Sequence, residues 1–407
     1  MPGITPPAWT PQGARSQNER LIMWLIRRNG PMPRAALAQA TGLSAQAVSN
    51  ITRELIAAGL LDAEGERRRG KVGQPLLPLA LKPEGALFLG LKVGRRVAEL
   101  VLVDFLGGIR QMRTLPYDFP QPDRIHEFAV QGVAAILGEL TDSLRARLSG
   151  MGIAIPFYLW DWGHEMAPWR GRDLRAGLEQ ALGLPVWLEN DASCACGAEM
   201  MFGAGGLPAD FLYFYIAHFA GGGVVLDGRL RLGPSRNAGA MGSYPVPGGQ
   251  QVLDVASVSV LEAMLGRPLP LPLEDRQWQL PAALRREWLD KSAAVLSHAA
   301  LGAVAVLDLP LVVIDGAMPD ALRDALVAAT AERMAAARHH GITLPELRAG
   351  TLGRRARALG AAALPLDEGF LPGGAFSAPR PGRNGNETRE TPPRSRGQAE
   401  RKTGHGR

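Results

Sequence analysis

Two segments of this chain repeat one grammar about 125 residues apart. ALFLGLKV (86–93), a Gly94-Arg95-Arg96 turn and VAELVLVDF (97–105) predict a hairpin, and Gly107-Gly108 leads to a third strand. FLYFYIAHF (211–219) and GGGVVLDGRL (221–230) again set two strands around glycines. Short apolar runs punctuated by glycine predict strands, and their recurrence predicts a duplicated α/β lobe. Between the two openings the pattern gives a helix over 124–149, a buried strand GMGIAIP (150–156) and a Trp-rich loop. A helix over 172–182 and the strand PVWLEN follow. Helical patterns dominate from Val255 to Leu359, with His339 and His340 placed on a late helix. The longest apolar stretch, 293–314, is broken by His298, Asp308 and Pro310. It predicts a core helix and a buried strand rather than a membrane span.

The N-terminal part has a different grammar. Leu21, Ile22, Leu25 and Ile26 recur at helical spacing and Asn29-Gly30-Pro31 ends the run. A short helix from Arg34 to Ala40 precedes the turn Thr41-Gly42-Leu43-Ser44, in which Ser44 is a good N-cap. A third helix, Ala45–Ala58, turns Val48, Ile51, Leu55 and Ile56 inward and ends at Gly59. A strand from Leu60-Leu61, the charged loop GERRRGKVGQP and a returning LLPLALK complete a winged helix-turn-helix.

On the third helix Gln46, Ser49, Asn50 and Arg53 share the face opposite the apolar one. Gln and Asn can pair with adenine and Arg with guanine in a major groove. A polar helix face is often only a solvated face, but this one is followed by Arg67, Arg68, Arg69, Lys71 and Gln74 in the predicted wing. A basic, Gly-punctuated loop suits phosphates or a minor groove. The expected DNA contacts are therefore Ser44, Gln46, Ser49, Asn50, Arg53, Arg67, Arg68, Arg69, Lys71 and Gln74. The charge distribution agrees. The chain carries a formal +6, with 11 Lys/Arg against 5 Asp/Glu in residues 1–82 and 8 against 3 in 377–407, leaving the middle acidic. A basic N-terminal module points to a polyanionic partner.

With these motifs in view, the chain resembles the ROK family, which groups transcriptional repressors and sugar kinases. The resemblance rests on LAQATGLSAQAVSNITRELIAAGLL, Gly152-Ile153-Ala154-Ile155-Pro156, PVWLENDASCACGAE, GGGVVLDGRL and NAGAMGS. It implies an actin/hexokinase-like duplicated α/β domain of two lobes behind the winged helix. The expected division is a lead-in over 1–15, a DNA-binding domain over 16–82, a ROK domain over 83–372 and a disordered basic tail over 373–407. In the family's kinases the aspartate matching Asp191 is the general base on a sugar hydroxyl, and the asparagine matching Asn190 bonds the sugar. Both also suit a simple helix cap. They are the expected ligand-binding residues.

The resemblance also marks departures. The family's Asp-x-Gly-Gly-Thr phosphate motif falls on Lys92-Val93-Gly94-Arg95-Arg96, so its acid is a lysine. Its second phosphate loop, Gly-Thr-Gly, falls on Ala217-His218-Phe219, with only Gly221-Gly222-Gly223 kept. Its sugar- and zinc-binding Glu and His fall on Ala240 and Ser243, and no cysteine follows where the zinc loop belongs. The expectation is a repressor without catalytic residues, metal or cofactor, acting on a double-stranded operator in the cytoplasm as a homodimer or higher homo-oligomer. A sugar or its derivative is the candidate effector. The alternatives are a sugar kinase with an appended DNA-binding domain, or a large domain with a dead pocket that serves only to dimerise. Cys194 and Cys196 are expected in the core and His218 is a structural or cleft residue.

Overall fold

The computed structural model describes residues 16–63, 77–161, 163–269 and 278–373. The chain opens with helices α1 (Gln17–Asn29), α2 (Arg34–Thr41) and α3 (Ala45–Ala57), then strands β1 (Leu61–Ala63) and β2 (Leu79–Leu81). Ser16 and Glu19 form a reciprocal capping box at α1, each side chain accepting from the other's backbone amide. Ser44 caps α3 by accepting from the Ala47 amide at 3.2 Å. Gly42 and Gly59, at φ +70° and +71°, supply the left-handed turns that a tight helix-turn-helix requires. Ile22, Met23, Leu37, Val48 and Leu55 are fully buried. Ile51 and Ile56 are only partly covered, because buried Thr52 takes the inner position and accepts from Arg34 Nε at 2.9 Å. β1 and β2 pair antiparallel. The connection carrying Arg67, Arg68, Arg69, Lys71 and Gln74 lies outside the described residues, as does the tail beyond 373.

The first lobe runs β3 (Leu87–Val93), β4 (Val97–Asp104), β5 (Ile109–Pro116), α4 (Pro122–Glu139), α5 (Asp142–Arg145), β6 (Leu148–Ile155), α6 (Leu174–Leu182) and β7 (Val186–Asn190). Helix α7 (Asp191–Phe202) leads to the second lobe: β8 (Phe211–Ile216), β9 (Ala220–Leu226), β10 (Arg229–Leu230), the short β11 (Pro245–Val246) and β12 (Gln250–Gln251), α8 (Leu253–Ala256), α9 (Val258–Leu265), α10 (Ala282–Leu307), β13 (Leu311–Gly316), α11 (Asp320–Ala336) and β14 (Glu346–Ala349). The sheets have the orders β5-β4-β3-β6-β7 and β10-β9-β8-β13-β14. Substituting each strand for its counterpart turns one order into the other. In both, three antiparallel strands are joined by two parallel ones. The expected duplication is thus present strand by strand.

Three expectations change. The helix predicted over 124–149 stops at Glu139, because the Thr141 hydroxyl caps the separate turn α5 and competes with continuation. The edge strand β14 interrupts the predicted helical region, and its four half-exposed residues carry no alternating pattern that would announce it. His339 and His340 follow α11 rather than lie on it. α10 is long and apolar enough to cross a membrane by composition, but Trp288, Ala293, Leu296 and Ala300 are buried in the second lobe's core.

The last helix, α12 (Ala356–Phe370), returns to the first lobe and packs on α7, β3 and β6. It sits there only because small residues face it. A Cβ on Gly152 would lie 1.8 Å from the Ala361 carbonyl oxygen, and one on Gly360 would lie 2.0 Å from that of Cys194. Cys194 and Cys196 are fully buried in this seam, as expected. At its far end Phe370 packs edge-on against Phe88 and Phe105, in one continuous core with Ile22, Met23 and Leu55. Arg20 of α1 donates to the Glu368 carbonyl at 2.9 Å, and Arg147 donates to the Ala58 carbonyl at 2.5 Å.

Candidate DNA-reading face and interlobe cleft

Along α3 the predicted face is arranged as a hydrogen-bonded row. Gln46 Nε2 donates to Asn50 Oδ1 at 3.1 Å, and Arg53 Nη1 donates to the same oxygen at 3.4 Å. All three side chains are exposed, while Ser49 is partly covered. Ser44 is exposed at the helix start, its oxygen accepting the capping bond. Arg34 of α2, bonded to Thr52, braces α3 from behind. The row therefore faces outward from a fixed helix, as a groove-reading element must.

The second candidate is the cleft between the lobes, a cavity of about 310 Å³. Asn190 and Asp191 line it together, with Tyr215, His218, Ala240, Ser243 and Arg357. Asn190 Oδ1 accepts from the Ala192 and Ser193 amides at 3.0 and 3.3 Å, so it caps α7. Its amide nitrogen is the part left for a ligand. Asp191 Oδ2 accepts from Arg357 Nη1 at 2.8 Å, and both side chains are nearly buried. Burial by itself would lower the Arg357 guanidinium, but Tyr215, Asp191 and Glu99 hold it above its ordinary value.

Two further ion pairs join the lobes across this cleft. Arg96, in the β3–β4 turn, donates to Glu262 of α9 at 2.6 Å and to the Leu269 carbonyl at 2.9 Å. His218 Nδ1 lies 3.5 Å from the other oxygen of Glu262. Burial pushes Glu262 up, yet His218, the Leu269 amide and Arg96 outweigh it and hold the carboxyl below its usual range. On the other side Arg236, in the loop after β10, pairs with Glu189 of β7. Burial raises the Glu189 carboxyl despite the Asn190 amide and Arg236.

Residues 88–255 match the ROK family model, and residues 15–62 match the model for a winged helix-turn-helix DNA-binding domain. The chain joins a winged helix-turn-helix to a ROK domain. It is 28% identical over 371 residues to uncharacterized protein y4fQ of Sinorhizobium fredii, covering 88% of this chain and 93% of that protein. It is 27% identical over 241 residues to the xylose repressor of Bacillus subtilis, covering 56% of this chain and 60% of the repressor. The chain thus spans less than two thirds of that repressor's length. The crystal structure of a ROK family transcriptional regulator, a homolog of the E. coli MLC protein, superposes with a TM-score of 0.64 at 19% identity, covering 87% of this chain and 96% of that one. This likeness establishes the shared fold.

Within the stretch that matches the ROK model, the residues at which departures from the family's motifs were expected have packing roles of their own. Lys92 is almost fully buried, and its ammonium donates to the Val97 carbonyl at 3.2 Å and lies 3.6 Å from Glu99. Burial brings it down to about 8, against the opposing pull of Glu99. It fills the space beside Gly94, whose added Cβ would lie 2.7 Å from it. Gly221 and Gly223 let β9 approach α7: a Cβ at either would come within 2.7 Å of Ala192 or Cys196. Their glycine character follows from helix packing without any phosphate. Ala240 and Ser243 line the cleft, and among the described residues no three His, Cys, Asp or Glu gather as metal ligands. Zinc prefers thiolate and imidazole donors, so these residues do not fit a zinc ion.

Asn190 and Asp191 both line the cleft, as expected for neighbours in sequence, but the partner of Asp191 was not foreseen. Arg357 lies 166 residues away, and its only signal is the basic run Gly353-Arg354-Arg355-Ala356-Arg357 in an otherwise acidic domain. Arg96 and Arg236 gave no warning that they bridge lobes.

Proposed function

We propose that this chain is a cytoplasmic DNA-binding transcriptional repressor whose ROK domain senses a small molecule, a sugar or its derivative, and does not transfer phosphate. The observation that carries this is the Gln46-Asn50-Arg53 row, exposed on a helix whose other face is sunk into a core continuous with the ROK domain. Such a row offers paired donors and acceptors to base edges. Ser44 and Ser49 extend it, and the wing residues Arg67, Arg68, Arg69, Lys71 and Gln74 hold phosphates. A homodimer would place two α3 helices in successive major grooves, roughly 34–36 Å apart.

The kinase alternative is weakened by the cleft. A general base must direct a free lone pair at the substrate hydroxyl, and the Arg357 guanidinium already takes one of the two Asp191 oxygens. Lys92 occupies the turn that a phosphate-binding hairpin would keep open.

In this reading Asn190 and Asp191 hold the effector, and α12 carries its effect. The helix has Arg357 in the cleft near its start and Phe370 in the reader's core at its end. A ligand that changes the Arg357–Asp191 pairing would shift a rigid element shared with α1. Coupling then requires only that the ligand prefer one arrangement of α12. The test is Arg53→Ala combined with neutral residues at Arg67, Arg68 and Arg69. Loss of operator binding and a flattened salt dependence support the assignment; survival of both rejects it. Incubation with ATP, magnesium and a sugar panel should yield no phosphosugar, and turnover would favour the kinase reading.

A further inference from the structure

Beside the polar cleft lies a second cavity of about 420 Å³, and the two share Pro156, Phe157 and Tyr158 as a common wall. The second cavity is largely aromatic and apolar: Leu159, Trp160, Trp169, Leu174 and Leu188 line it with Phe157. Its floor is fixed. Trp169 is nearly buried, and its indole nitrogen donates to the Pro120 carbonyl at 2.7 Å. Its rim is different. Tyr158 sits on the common wall, 48% exposed as a residue and with its backbone at φ +59°.

A left-handed conformation is costly for a bulky residue and points to a local function when core packing does not demand it. An exposed tyrosine does not repay that cost by burial. What the conformation achieves is a ring standing at the junction of the two cavities, held edge-on to Trp160 with centroids 5.7 Å apart. Arg170 lies 6.0 Å over the other ring of this pair, Trp160. The result is a preformed aromatic platform continuous with a polar cleft.

Cavities of this size each hold a small ligand, and aromatic faces favour flat, weakly polar partners such as an aryl ring or the C–H face of a pyranose. We propose that the effector spans both cavities, with its polar ring beside Asn190 and a second ring in the nearly right-angled corner between Tyr158 and Trp160. The ligand class is thus a two-ring glycoside, either a disaccharide or an aryl glycoside, rather than a single sugar. This rests on the effector reading given above and specifies its ligand.

The test uses the full-length protein and matched probes in calorimetric titration: xylose with xylobiose and phenyl β-xyloside, and glucose with cellobiose and phenyl β-glucoside. A two-ring probe should bind about tenfold more tightly than its monosaccharide, the size of one good aromatic contact. Trp160→Ala, at a residue that lines only the second cavity, should remove most of that advantage while leaving monosaccharide affinity within about twofold. Tyr158→Gly, which suits the left-handed backbone, should also remove most of it. The disaccharide and phenyl arms show which second ring is preferred. If a monosaccharide binds and neither two-ring partner gains, or if both variants keep the gain, the platform is overturned and the effector cleft stands. If no probe binds, both are overturned.

Discussion

Arg357 and Asp191 form an ion pair 2.8 Å long whose side chains keep only 11% and 13% of their exposure. It joins the first residue of α7 to the first turn of α12, the two helices that pack along the seam of the ROK domain. The Asp191 carboxylate is therefore structural as well as cleft-lining.

Removing either partner leaves a nearly buried charge uncompensated, whereas removing both need not. Arg357→Met and Asp191→Asn should each destabilise the chain by roughly 3 kcal/mol in urea unfolding, with the double variant more stable than the sum of the two. Strict additivity would mean the pair does not interact.

The reader and the first lobe share one core through Phe88, Phe105 and Phe370. Phe370→Ala should cost roughly 3–5 kcal/mol and weaken DNA binding although it lies far from α3. Full-length protein should show coincident unfolding of the reader and the first lobe, followed by hydrogen exchange in α1 and α12. Separate transitions would show that the shared core does not couple them.

Asp315, fully buried on β13, accepts from Tyr213 and from the Gly353 amide, and faces Arg323 at 3.9 Å. Burial, reinforced by nearby Glu199, pushes its carboxyl up to about 6 from an unperturbed 3.8. A carboxyl raised in the folded state favours folding while protonated. That contribution is fully present below pH 3.8 and is lost as pH rises through about 6. Asp315→Asn should flatten this part of the pH–stability curve and stabilise the protein at pH 8, by at most roughly 3 kcal/mol. An unchanged slope between pH 4 and 7 would refute the assignment.

What the sequence conveyed and what it concealed divide along physical lines. Periodicity and glycine punctuation are local, so α1 to α3, both hairpins and the seam cysteines Cys194 and Cys196 were legible. The face of Gln46, Asn50 and Arg53 was legible because helical geometry alone puts positions i, i+4 and i+7 together. Arg357, Arg96 and Arg236 were not, because each meets its partner through tertiary packing that no spacing encodes. β14 was hidden because a four-residue parallel edge strand has no period to detect. Tyr158 was hidden because its meaning lies in a backbone angle.

The row on α3 can be divided residue by residue. Gln46→Ala, Asn50→Ala and Arg53→Ala should each cost roughly 1–3 kcal/mol of operator affinity and relax base preference at one position. Anisotropy titrations against operators permuted at single positions measure both effects. A uniform loss across all permuted sequences would make that residue a phosphate contact instead.

The most direct measurement is recovery and sequencing of genomic DNA fragments bound by the purified full-length protein, with Asn50→Ala carried alongside. The proposal predicts a recurrent, roughly palindromic site whose half-sites lie about one helical turn apart, enriched by the native chain and lost or altered in the variant. Fragments recovered without any shared sequence, or the same site recovered equally by Asn50→Ala, would contradict it.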